Sequence, residues 1–157
     1  MTDASSATPP VPVRAGLLRR LGALLYDSLL LLAVLIVATA LFLPLTGGEA
    51  IVPDEQPALE AAYRLTLVLL IVGFYGLFWT RRGQTLGMAS WHLRVEREDG
   101  RLLTWGDSLR RLGWGLLSLL PAGLGFAWIL VDRQRRAWHD RLSGTRVVVV
   151  RKRGGDG

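Results

Sequence analysis

Three runs of this chain hold most of its apolar residues. Leu21 to Thr46 contains one charge, Asp27; Leu65 to Thr80 contains none, and Leu112 to Val131 contains none. At 1.5 Å rise per residue, about 20 apolar residues cross the roughly 30 Å hydrocarbon layer. The pattern therefore predicts an all-α membrane protein with two transmembrane helices and a third apolar segment. The first helix should run from about Leu18 to Leu43 and end at Pro44 and Gly47-Gly48. Ala38-Thr39-Ala40 resembles a signal-peptide cleavage site, but the apolar stretch before it is too long and contains Asp27, so a retained helix is expected. The second should start near Ala58 and leave at Arg81-Arg82, with Glu60 and Arg64 paired at i,i+4 in its first turns.

The third run is interrupted by Pro121-Ala122-Gly123-Leu124-Gly125, and proline and glycine break helices. Upstream, Thr104-Trp105-Gly106-Asp107 has the form of a capping box with Thr104 as N-cap, and Trp105, Leu109, Leu112 and Leu116 follow on one face. This predicts an amphipathic helix over Trp105–Leu120, a turn at Pro121–Gly125 and a return through Phe126–Leu130. Such a segment is a re-entrant or interfacial hairpin; a third full span is the alternative.

Charge distinguishes the two. The loop Thr46–Pro57 carries Glu49, Asp54 and Glu55 and no base, whereas Arg14, Arg19 and Arg20 precede the first apolar run. Basic residues mark the cytoplasmic side, so the N-terminus is expected in the cytoplasm. A third span would place Arg133, Arg135, Arg136, Arg141, Arg146, Arg151, Lys152 and Arg153 outside, against that rule. A hairpin keeps them inside.

Ala89 to Arg97 alternates, with Trp91, Leu93 and Val95 on one side and His92, Arg94 and Glu96 on the other. Asp99-Gly100 is a turn signal before Arg101-Leu102-Leu103, and Gly144-Thr145 leads into the run Val147 to Val150. A small cytoplasmic β element is expected from these pieces. Residues 1–12 read as a disordered tail, 13–150 as one membrane domain, and 151–157 as a basic C-terminal tail.

The 157 residues are half hydrophobic, include no cysteine and carry a formal net charge of +6. The absence of cysteine excludes disulfides, thiolate metal sites and cysteine nucleophiles. The excess base flanks the apolar runs, which points to anionic lipid headgroups rather than nucleic acid. Gly83-Gln84-Thr85-Leu86-Gly87 lacks the Gly-Lys-Ser/Thr ending of a phosphate loop. His139-Asp140 falls short of the three or four ligands of a metal site. Asp132 reads as a solvated acid among arginines. No enzyme activity, cofactor or metal is expected.

Asp27 is the most informative residue. A carboxylate at the centre of a span costs roughly 2.5–3.5 kcal/mol, so something must offset it. Arg20 lies seven residues earlier, about two helical turns, which puts both side chains on one face at an axial separation of about 10 Å. Asp27 either binds a cation or proton inside the protein or anchors the first helix through a buried ion pair or hydrogen bond.

The segments Arg20 to Asp27, Gly83-Gln84-Thr85-Leu86-Gly87-Met88 with Leu93-Arg94-Val95, and Ala137-Trp138-His139-Asp140-Arg141-Leu142-Ser143-Gly144-Thr145 occur in that order. In this the chain resembles the RDD family of bacterial membrane proteins over roughly Val13 to Val150. The family is named for one arginine and two aspartates. By that resemblance Arg20 and Asp27 carry the first two signature positions and Asp140 the third. Many members have a basic residue shortly after the Thr-Leu-Gly element, where this chain has Ala89-Ser90. The resemblance implies a multi-pass protein of the bacterial cytoplasmic membrane that transports a small solute or exchanges cations for protons. Two spans are few for a pathway, so that role implies a homo-oligomer. A non-transporting scaffold or accessory subunit is the alternative.

Overall fold

The computed structural model describes residues 13–49, 56–120 and 124–150. Two long helices dominate it. Helix α1 spans Leu17–Phe42 and continues into a 3-10 turn, Leu43–Thr46, that holds Pro44 and ends on Gly47 in the left-handed conformation (φ 66°). Helix α2 spans Pro57–Arg81 and opens on a proline, whose missing N–H and fixed φ suit a first turn. The expected Glu60–Arg64 ion pair forms in that turn. Both helices are long and apolar enough to cross a membrane. Their buried residues are few: Ala23, Asp27 and Ala38 on α1, Gly76 and Trp79 on α2. Leucines and valines such as Leu25, Leu29, Val37, Leu65 and Val68 face outwards instead. So much exposed aliphatic surface is consistent with a membrane protein. The acidic residues Asp54 and Glu55 of the connecting loop lie outside the described residues, as do the tails 1–12 and 151–157.

After α2 the chain folds into a compact cap. Helix α3 (Leu86–Ser90) leads into strand β1 (Leu93–Arg97), helix α4 (Trp105–Leu119), helix α5 (Leu124–Ala127), a 3-10 turn (Trp128–Leu130), helix α6 (Trp138–Leu142) and strand β2 (Thr145–Val149). The strands pair antiparallel, Leu93 opposite Val149 and Arg97 opposite Thr145. The other edge of β2 takes the segment before α1: Ala15 N donates to Val147 O at 3.1 Å and Val149 N to Val13 O at 2.7 Å. Leu93, Val95 and Val147 join Ala15, Ala23, Trp79, Met88 and Leu103 in one core beneath the helices.

The sheet is smaller than its alternating pattern implies. Ala89 and Ser90 end α3, because Thr85 caps that helix by accepting from Met88 N. His92 then takes a positive φ of 54°, which interrupts any extended run before Leu93. Trp91 is consequently exposed rather than aligned with Leu93 and Val95. Arg101 O accepts Arg97 N at 2.9 Å and closes the Asp99-Gly100 turn, but residues 101–103 form no strand. The partner of β1 is β2.

Helix α4 begins as its sequence requires. Thr104 Oγ1 accepts from Asp107 N at 3.2 Å, and Asp107 Oδ2 accepts from Thr104 N at 3.0 Å, the reciprocal bonds of a capping box. The apolar run from Leu112 to Val131 is not one helix: α4 stops and α5 packs back against it. Of the expected turn at Pro121–Gly125, residues 121–123 lie outside the described residues.

Candidate functional site

Two buried carboxylates define the site. The first is Asp140. It occupies the first turn of α6, where Oδ2 accepts Ala137 N at 3.1 Å. Arg20 Nη1 pairs with Oδ2, and Arg111 Nη1 donates to Oδ1 at 2.6 Å. His139 Nε2 lies 3.4 Å from Oδ1. Arg20 is fixed at its other donors, Nε to Ala15 O at 3.2 Å and Nη2 to Arg135 O at 3.0 Å. Asp140 thus ties three separated pieces together: α1 through Arg20, α4 through Arg111, and α6 through its own backbone.

Burial alone would raise the Asp140 carboxyl, but Arg111, Arg20 and His139 override it and hold the group well below the usual carboxylate range. Burial and then Arg111 push the His139 imidazole down to about 3, against the opposing pull of Asp140. At neutral pH the cluster therefore contains two guanidinium groups, one carboxylate and a neutral imidazole. Arg111 Nη1 also donates to Thr145 Oγ1 at 2.5 Å, and Thr145 shares a 2.8 Å bond with Ser143. The Arg111 guanidinium stands over the Trp79 ring, 5.3 Å from its centroid.

The second carboxylate is Asp27, on α1 and nearly fully buried. Thr85 Oγ1 donates to its Oδ2 at 2.5 Å and Gly87 N donates to its Oδ1 at 2.8 Å. Among the described residues no arginine or lysine forms an ion pair with it. Both donors belong to the Gly83–Gly87 segment, whose form now has a physical reason. Gly83 turns with φ 65° beneath the Val95 carbonyl, where no Cβ fits. Gly87 approaches α1 so closely that a Cβ would collide with the Ala23 carbonyl and the Asp27 carboxyl.

These contacts anchor Asp27 through hydrogen bonds, with no ion pair to Arg20. Arg20 and Asp27 do share a face of α1, but the helix rise keeps them apart and Arg20 turns to Asp140. Of the three signature residues, the structure brings Arg20 and Asp140 into contact and leaves Asp27 to Thr85 and Gly87. Asp132 is also not a solvated acid: its side chain is mostly buried, and Oδ2 accepts Arg136 N at 2.8 Å. Arg111 was read from the sequence only as one of the bases flanking an apolar run. Ser108, Arg111, Gly115 and Ser118 recur at three- and four-residue spacing on α4, and that stripe was the available signal. Ser108, Arg111 and Ser118 are all buried.

A cavity of about 400 Å³ lies between α1, α2, α4 and the cap. Arg20, Asp27, Tyr75, Trp79, Arg111 and His139 reach it, and aliphatic side chains of α1, α2 and α4 make up most of the remaining wall. The volume falls in the range of about 300–1,000 Å³ usual for small-molecule sites.

The architecture is that of a helical protein with two apolar helices clamped to a charged cap by an arginine and two aspartates' worth of buried contacts. The chain matches the family model described as RDD family over residues 14–144, and it belongs to that family. No curated protein and no solved structure matches it.

Proposed function

We propose that this chain is a multi-pass protein of the bacterial cytoplasmic membrane that moves a small solute or exchanges a cation for protons, with Asp27 as the exchanging carboxylate. One observation carries the reading: Asp27 borders the cavity and has hydrogen-bond donors but, among the described residues, no counter-charge. An intramembrane carboxylate of that kind is completed by a proton or a cation, and such groups mark ion pathways. Arg20 and Asp140 hold the cap in place beside it.

The N-terminus and cap face the cytoplasm in this reading, as the arginines bordering α1 and α2 require. Helix α4 starts in the cytoplasmic interface, where its basic residues meet anionic headgroups, and its later turns enter beside α2 as one arm of a re-entrant hairpin. Its polar residues Ser108, Arg111 and Ser118 turn inwards, while Leu109, Leu116, Leu117 and Leu120 turn out. That is the reverse of a soluble amphipathic helix and suits lipid on the outer side. Two spans do not enclose a polar route alone, so a homo-oligomer completes it.

The test is cation flux in proteoliposomes across a pH gradient, wild type against Asp27→Asn. The variant should remove the pH-dependent component; equal flux refutes the exchanging role. A scaffold function is the second reading, favoured by the closed Arg20–Asp140–Arg111 cluster. It predicts that Asp27→Asn lowers folded yield or assembly instead.

A further inference from the structure

Arg111 is not fully used by the protein. Its side chain is only 7% exposed, yet among the described residues just Nη1 finds acceptors, in Asp140 and Thr145. The donors on Nε and Nη2 have no protein acceptor there. A guanidinium has five N–H donors in a fixed fork, so those without a protein acceptor are open to the acceptors of a ligand. Arg111 also borders the cavity.

Charge points the same way. Two guanidinium groups meet one carboxylate at Asp140, and His139 is neutral at physiological pH. Within the cluster the guanidinium groups outnumber the carboxylate by one, and the Trp79 ring face is the further partner of Arg111. Asp27, on the α1 side, is occupied with Thr85 and Gly87.

The rest of the cavity is apolar, and its rim lies on the outside of the helices. Val68 on α2 and Leu116 on α4 both line it while 54% and 68% exposed. In the membrane placement proposed above, that rim opens towards lipid. Away from Asp27 these walls suit an aliphatic body rather than a hydrated ion. A molecule with an aliphatic body and an acidic head matches both ends.

We propose that the cavity binds an anionic amphiphile drawn from the bilayer, its carboxylate or phosphate head held by the open fork of Arg111 and its chain lying between α1, α2 and α4. The inference uses the membrane placement but not the movement of any solute. Its readout is therefore binding, and flux tests the transport reading separately.

The experiment measures equilibrium binding of dodecanoate and of dodecyltrimethylammonium, equal tails with opposite heads, to the full chain in a nonionic detergent. Dodecanoate should bind about tenfold or more tightly than the ammonium compound, the usual worth of a charge-assisted hydrogen-bond pair. Arg111→Gln should abolish that preference. Because Arg111 also supports Asp140 and its loss threatens folding, Leu116→Trp at the exposed rim is the second variant. It should weaken dodecanoate binding while the protein stays folded. Native mass spectrometry after purification from vesicles of phosphatidylglycerol and phosphatidylcholine identifies the source. Retained phosphatidylglycerol that dodecanoate displaces makes a membrane phospholipid the occupant. Dodecanoate binding without retained phospholipid makes it a single-chain acid of the bilayer. Equal affinity for both heads, preference for the ammonium head, or dodecanoate binding unchanged in Leu116→Trp overturns the proposal.

Discussion

Asp27 and Asp140 are both buried aspartates at the same end of the molecule, and the chain treats them in opposite ways. Asp140 receives two guanidinium groups from pieces far apart in sequence and a backbone amide from its own turn. Asp27 receives a hydroxyl and a backbone amide from one short segment and no base. The first arrangement is an electrostatic knot: remove the carboxylate and two buried cations lose their partner. The second is a neutral cradle of two hydrogen-bond donors. In this chain the two aspartates are thus held differently, Asp140 by charge and Asp27 by hydrogen bonds.

The comparison is broken most forcefully by giving both sites the same substitution. Asp140→Asn should destabilise the fold by about 3–5 kcal/mol, the penalty for unpairing buried charges, read as loss of folded protein in detergent. Asp27→Asn removes a buried charge and keeps an oxygen for Gly87 N, so its effect on stability should stay within about 1.5 kcal/mol. Equal losses at the two positions would erase the distinction.

The pH dependence should come from the knot. The His139 imidazole sits at about 3 in the folded protein against an ordinary 6.5. Between those values the unfolded chain binds more protons, so stability is complete above the ordinary histidine value and falls as pH drops through this window. Asp140, held below its ordinary value, adds a further loss once pH falls below the usual carboxylate range. Melting temperature measured against pH should fall on acidification, and His139→Gln should flatten the upper part of that slope.

The cradle is probed by smaller changes. Thr85→Val removes one donor to Asp27 and the cap of α3, for an expected loss of about 1–3 kcal/mol. Gly87→Ala forces a methyl against the Ala23 carbonyl and should cost about 1–3 kcal/mol through displacement of α3. Smallest of all, Glu60→Gln breaks only the half-exposed pair with Arg64, and chemical denaturation should register less than about 1 kcal/mol.

What was legible in the sequence was what is local. The apolar runs located α1 and α2 to within a residue or two, and the Thr104–Asp107 spacing located the start of α4. The interrupted third run followed from Pro121 and the glycines around it. The valine run and the alternation before it identified both strands, though Thr85's capping preference claimed Ala89 and Ser90 for a helix. The site was less legible because its contacts join residues far apart in the chain. A seven-residue spacing aligned Arg20 with Asp27, and no periodicity showed that Arg20 would turn to a carboxylate 120 residues later. Arg111 was hidden among flanking bases because adjacent Arg110 is exposed and only the stripe through Ser108 and Ser118 sets the two apart.

Double-mutant cycles on Arg20 test the central claim most directly. With Arg20→Gln combined in turn with Asp140→Asn and Asp27→Asn, the coupling energy from unfolding should exceed about 1 kcal/mol for Arg20 with Asp140 and lie within about 0.5 kcal/mol of zero for Arg20 with Asp27. Strong coupling between Arg20 and Asp27 would contradict it, showing that the arginine balances that carboxylate after all.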